Sequence, residues 1–184
     1  TSKTYGDTVT FAGTEFSTGG LVNSDTVTSV TLASAGAATN ATVAGSPYAI
    51  VASAATGSGL GNYAITYHDG ALTVNAAALR VAANDASRAY GATNPVFSVS
   101  YTGFVNAEDS NALGGTLGIT TAADTNSPVG TYPITPDGLT STNYAITFTN
   151  GTLTITPYAL TITANNASKT YGDTVTFAGT EFST

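Results

Sequence analysis

A single histidine, His68, is all the imidazole this chain carries, and cysteine is absent altogether. A catalytic histidine needs a positioned partner to orient its ring and receive its proton. His68 stands beside Asp69-Gly70 with no nucleophile signal nearby, and where the same text recurs later Thr149 takes its place. It therefore reads as a solvent-facing residue. The carboxylates are scattered singly along the chain. Only Glu108 and Asp109 adjoin, in "NAEDSN", without the alternating oxygen ligands and closing bidentate Glu of a calcium loop. Nothing brings two acids to the opposite faces of one cleft, as glycoside hydrolysis would need. These residues nominate no catalytic group, no cofactor-binding group and no metal ligand, and the chain reads as a non-enzyme without cofactors.

Amines and aromatic rings are the remaining chemistry. Lys3 and Lys169 each stand two residues before a Tyr-Gly pair, where a surface protein could form a Lys-Asn cross-link. The third such position is Arg88, whose guanidinium cannot form that bond. Exposed tyrosines could also grip sugar faces. However, Tyr5, Tyr90 and Tyr171 recur at equivalent places, as do Tyr63 with Tyr144 and Tyr67 with Phe148. Recurrence on the apolar phase of strands predicts core packing. The acceptor sequences at Asn40, Asn150 and Asn166 arise readily in a chain rich in Asn, Ser and Thr.

These residues sit in a repeat. Residues 2–18 and 168–184 are identical, "NYAITYHDGALTV" at 62–74 returns as "NYAITFTNGTLTI" at 143–155, and "ALRVAANDASRAYG" at 78–91 returns as "ALTITANNASKTYG" at 159–172. A period near eighty residues divides the chain into 1–76, a repeat lacking its lead strand; 77–157, a complete repeat; and 158–184, the front of a third. Strict alternation dominates, as in Leu79, Val81 and Ala83, or Tyr144, Ile146 and Phe148, which predicts half-buried strands. Asp69-Gly70 and Asn150-Gly151 predict two-residue type I′ hairpin turns, because both central residues of that turn need positive φ. After Gly103-Phe104, "NAEDSNAL" suits a loop or a short helix capped by Asn106. The Ala/Gly-rich stretch 33–61 predicts a short strand at Tyr48 and Ile50 within loop.

The joints "NAAA" (75–78) and "TPYA" (156–159) are too short to be flexible linkers. Successive units should then stack end to end as a stiff rod of neighbouring contacts, each unit roughly 30 Å across. The expected fold is all-β, with at most one short helix: tandem small β-sandwiches of immunoglobulin-like or β-grasp-like layout. Four Lys plus Arg against eleven Asp plus Glu give a net charge of −7. Binding to nucleic acid or to anionic lipid needs the opposite sign, so neither partner is expected. Only 8% of residues are charged, against roughly a quarter in ordinary soluble domains, and with no Cys or Met to oxidise this surface suits the outside of a cell. No apolar run approaches the ~18 residues of a membrane span.

The ordered set "ALTITANNASKTYGDTVTF", "GFVNAED", "SPVGTYPIT" and "NYAITFTNGTLTI" resembles the MBG repeat (mostly beta, glycine-rich) of the YGX type, over essentially the whole chain. The first unit departs from it where the Ala/Gly-rich stretch replaces "SPVGTYPIT". The resemblance implies tandem arrays in large secreted bacterial adhesins of the filamentous haemagglutinin kind, and a stalk or spacer role at the cell surface. It brings no catalytic residues. The alternative is that the repeats themselves bind glycan or a host protein. The expected partners are neighbouring repeats of the same chain, with residues 159–184 completing a sheet on the first unit of a neighbouring molecule.

Overall fold

A computed structural model describes all of residues 1–184. The chain is all-β, with isolated 3-10 turns and no α-helix. Its strands are β1 (Ser2–Thr4), β2 (Thr26–Ala33), β3 (Tyr48–Ser58), β4 (Gly70–Asn75), β5 (Ala77–Ala83), β6 (Ala86–Ala89), β7 (Val99–Thr102), β8 (Gly114–Thr120), β9 (Gly130–Thr140), β10 (Tyr144–Thr149), β11 (Gly151–Thr156), β12 (Thr163–Ala164) and β13 (Phe182–Ser183).

In the second unit two sheets face each other. One has the order β10-β5-β7, the other β6-β11-β9-β8. Alternation delivers the core: Leu79 and Val81 of β5, Ile134 of β9 and Leu153 and Ile155 of β11 are all essentially inaccessible to water. The first unit repeats the second of these sheets strand for strand, as β1-β4-β3-β2. The other sheet has no counterpart there. Residues 16–19 and 63–68, which correspond to β7 and β10, form no strand.

The two expected hairpins do not form. β10 and β11 lie in different sheets, β10 parallel to β5 and β11 parallel to β6. Neither Asn150 nor Gly151 has positive φ, nor do Asp69 and Gly70. At Asn150 the chain passes from one sheet to the other, beside the same passage at Asn84-Asp85 between β5 and β6. Gly151 is required there for closeness, because a Cβ would lie 2.6 Å from the carbonyl oxygen of Ala83. Positive φ at two successive residues occurs instead at Asn106-Ala107 and at Asn23-Ser24. Glu108 N–H donates to Val105 O and Asp25 N–H to Val22 O, each at 3.0 Å, which closes type I′ turns at equivalent places in both units. Asn106 thus turns the chain rather than capping a helix, and Asp109 caps the 3-10 turn that follows. Nor is 33–61 mainly loop, since β3 runs eleven residues. Hydroxyls of Thr26, Thr28 and Ser29 bond those of Ser58 and Thr56 across one end of the β2–β3 pair.

Parallel pairing makes residues 77–89 and 144–156 two side-by-side tracks with the same direction. Each crosses from the first sheet to the second at mid-length. Thirteen residues at ~3.3 Å each make the unit about 40 Å long between its entry at Ala77 and its exit at Thr156. Only Ala76 separates β4 from β5, so one unit leads into the next with almost no linker.

Candidate functional site at the joint between units

Tyr5-Gly6 is the tip of a turn. Asp7 N–H donates to Thr4 O at 3.0 Å and Gly6 has φ 93°, a left-handed value at the third turn position that favours glycine. Tyr90-Gly91 and Tyr171-Gly172 make the same turn. A buried cation secures it from behind. Lys3 Nζ donates to the carbonyls of Asp7 and Ala38, while Arg88 donates to Asn94 Oδ1, Ala89 O and Asp124 O. Both cations donate to carbonyls of loops outside the sheet, which is why Arg serves where Lys stands in the other copies.

The turn enters the second unit. Gly6 approaches Val105 so closely that a Cβ would lie 2.6 Å from its side chain. Tyr5 packs edge-on against Tyr144, with centroids 5.7 Å apart, and Phe104 meets Tyr144 from the other side at 5.4 Å. Both tyrosine hydroxyls donate to one carboxylate: Tyr5 to Glu108 Oε1 at 2.6 Å and Tyr144 to Oε2 at 2.5 Å. Asn143 Oδ1 accepts from Val43 N–H, and Asn106 donates to Thr39 O. Val74, Ala77 and Leu79 close the cluster from beneath, so the apolar core is continuous from one unit to the next. The bond to the Glu108 carboxylate, then burial, raises Tyr5 above the ordinary phenol pKa. Burial, then the same carboxylate, pushes Tyr144 up to about 12.

The first unit carries the same socket. Tyr63 donates to Asp25 Oδ2 at 2.9 Å and bonds the backbone of Val22, as Tyr144 does with Glu108 and Val105. No turn fills it, and Val22 is 59% exposed. At the other end Tyr90 is 46% exposed, and a Cβ on Gly91 would meet nothing. Expecting every recurring tyrosine in a core was therefore wrong for Tyr67, which is exposed on the first unit, and for Tyr90 and Tyr171, which face solvent while Tyr5 is buried. One recurring residue serves as the guest of a joint, and its exposure depends on whether a neighbouring unit receives it. The identical end segments make the point: each closes the Tyr-Gly turn, and each folds Glu15 or Glu181 back onto backbone amides that hold the carboxyl below the ordinary range. Local geometry follows from local sequence, and burial follows from the neighbour.

His68 is exposed beside residues 63–67. No three of the His, Asp and Glu side chains come together as metal ligands would. Sequence reasoning missed Glu108 as a joint residue; its signal was the matching acid Asp25 at the same place in "GLVNSD".

Compared with known proteins, the chain matches the family model for the MBG domain (YGX type) over residues 1–73 and again over 79–154. No curated protein and no solved structure matches it.

Proposed function

The chain belongs to the MBG domain family, YGX type, a family of repeats of surface and adhesin-type proteins, and on that premise we propose that its units are load-bearing spacers of a secreted or cell-surface bacterial adhesin. They hold an adhesive region away from the cell. The observation that carries this reading is the pair of parallel tracks in the second unit. Tension enters at Ala77, the start of one track, and leaves at Thr156, the end of the other. Two parallel strands pulled from opposite ends slide along each other, so their hydrogen bonds share the load and must fail together. Pulled from the same end, they open one bond at a time. The near-absence of linker and the polar, ring-filled joint pass the load on without a slack segment.

Force spectroscopy on the cysteine-free chain tests this with handles introduced in pairs. Handles at Ala77 and Thr156 load the tracks in shear, whereas handles at Ala77 and Asn143, whose carbonyl accepts from Ala77 N–H at 2.9 Å, unzip them. The shear geometry is expected to unfold at clearly higher force. Equal forces would sink the mechanical reading. A glycan array probed with the same chain addresses the alternative, in which the repeats themselves bind glycan, and the spacer reading expects no reproducible binding there.

A further inference from the structure

Electrons removed from this chain one at a time come from few places. Cysteine, methionine and tryptophan are absent, which leaves ten tyrosines and a single histidine as its readily oxidised side chains. Among the tyrosines, the rings of Tyr5 and Tyr144 are in contact, edge-on with centroids 5.7 Å apart. Their hydroxyls also converge. Tyr5 donates to Oε1 and Tyr144 to Oε2 of the one Glu108 carboxylate, at 2.6 and 2.5 Å. Carbons Cε1 and Cε2 flank each hydroxyl, so this convergence turns the ortho edges of both rings toward a common point.

Both rings are buried, yet a line of aromatic contacts leads out from them. Tyr144 packs on Phe104 at 5.4 Å, and Phe104 packs on Tyr101 at 5.6 Å. Tyr101 is half-buried, so an oxidant that touches neither Tyr5 nor Tyr144 can draw an electron from them through these rings. The oxidised site then settles where a base within hydrogen-bond reach accepts the phenolic proton, and Glu108 is the base the pair shares. We propose that the joint is an oxidative modification site, at which Tyr5 and Tyr144 couple to a dityrosine that ties one unit covalently to the next. The coupling needs only this ring and carboxylate geometry, whatever the units are for.

The co-reactant is a one-electron oxidant of the peroxidase class, with hydrogen peroxide as the final acceptor. Each phenol gives one electron to the oxidant and its hydroxyl proton to Glu108. That carboxylate is half-buried, so it releases the first proton to water before the second phenol reacts. The two neutral radicals join Cε to Cε. The hydrogens on those carbons then move to the phenolic oxygens and restore both hydroxyls. Two electrons and two protons have left, and they reduce one hydrogen peroxide to two waters. Bonding draws the rings closer than they stand, and Tyr5 is placed to give, because it belongs to a turn rather than a strand. The first unit holds a built-in comparison: Tyr63 donates to Asp25 as Tyr144 does to Glu108, but its aromatic ring has no second tyrosine against it.

Oxidation of the full chain at low concentration by light, a ruthenium(II) tris-bipyridyl sensitiser and persulfate tests this, since the sensitiser removes single electrons. Single copies are then isolated by size exclusion, which sets aside links between copies through the exposed Tyr67, Tyr90, Tyr158 and Tyr171. Dityrosine is read by its blue fluorescence and located by mass spectrometry of linked peptides. The wild type is expected to give a linked pair carrying Tyr5 and Tyr144. Tyr5→Phe, which keeps the ring in place, should lose that pair and Tyr63→Phe should keep it at wild-type yield. Glu108→Gln, which cannot take the proton, should lower the yield severalfold, and unfolding the wild type in urea should abolish it. No such linked pair in the folded wild type, the same yield from the urea-unfolded chain, or an undiminished yield from Glu108→Gln overturns the proposal.

Discussion

Replacing Tyr5 with Phe isolates what the joint contributes. The ring stays edge-on to Tyr144 and only the 2.6 Å bond to Glu108 is lost. A hydrogen bond to a charged acceptor contributes about 1.5–3 kcal/mol net. Glu108 is half-buried, so water reaches the freed oxygen and the loss falls at the lower end, about 1.5 kcal/mol, or roughly tenfold in an equilibrium constant. Tyr5 belongs to the first unit and Glu108 to the second, 103 residues apart, so this energy couples the two units. Glu108→Ala costs more, because it also leaves the Tyr144 hydroxyl with the Val105 carbonyl at 3.4 Å as its one acceptor, beside the Val105 N–H that donates to it at 3.1 Å. In the double variant the Tyr5 loss is already included, and the cycle should return an interaction energy of about 1–1.5 kcal/mol. Guanidinium unfolding of the wild type, both single variants and the double variant, followed by far-UV circular dichroism, supplies the four stabilities. Additivity to within ~0.3–0.5 kcal/mol would refute the claim that the shared carboxylate couples the units.

Alkaline titration should weaken the joint. Both phenols bind their protons more tightly in the folded chain than the ordinary value of 10 allows. The unfolded chain therefore ionises first, and the stability they contribute is complete below about pH 10 and lost as pH rises toward 12. Melting temperatures taken at successive pH values should fall over that interval, and less steeply in Tyr144→Phe. Gly6→Ala and Gly91→Ala share the left-handed backbone penalty of about 1–2 kcal/mol, but only Gly6 also meets Val105. Gly6→Ala should thus destabilise by at least ~1 kcal/mol more, which thermal unfolding of the two variants checks. Leu153→Ala, at a fully buried position of the second unit, should cost about 2–5 kcal/mol in denaturant unfolding.

Much of this fold is legible from alternation alone. Leu79, Val81, Tyr144, Leu153 and Ile155 announce their strands and their buried faces before any coordinates exist. The passage at Asn150-Gly151 is not legible, because Asn-Gly serves two purposes. It permits positive φ in a tight turn, and it equally permits two backbones to approach without a Cβ between them, which is its role against Ala83. Choosing between them requires knowing that β5 also changes sheet at Asn84, a fact about a partner strand 66 residues away. Strand β3 is legible only at Tyr48 and Ile50 for a related reason: the Ala and Ser residues beyond them carry no hydrophobic period, and hydroxyl pairs at Thr56 and Ser58 hold its far end. At the joint, recurrence marks Tyr5 and Tyr144 as structural but cannot separate a residue packed inside its own unit from one packed into the next. Only the second unit's coordinates supply that distinction.

The Asp25–Tyr63 pair stands ready in a unit that receives no guest, in the same arrangement that Glu108–Tyr144 adopts around Tyr5. Each unit thus presents a receiving face at its front and a protruding turn at its back, both set by its own residues. Lengthening or shortening such an array changes how many joints there are without changing what any joint is made of. Unequal recombination between near-identical repeats could then alter reach in steps of about 40 Å, with no compensating substitution needed anywhere else in the protein.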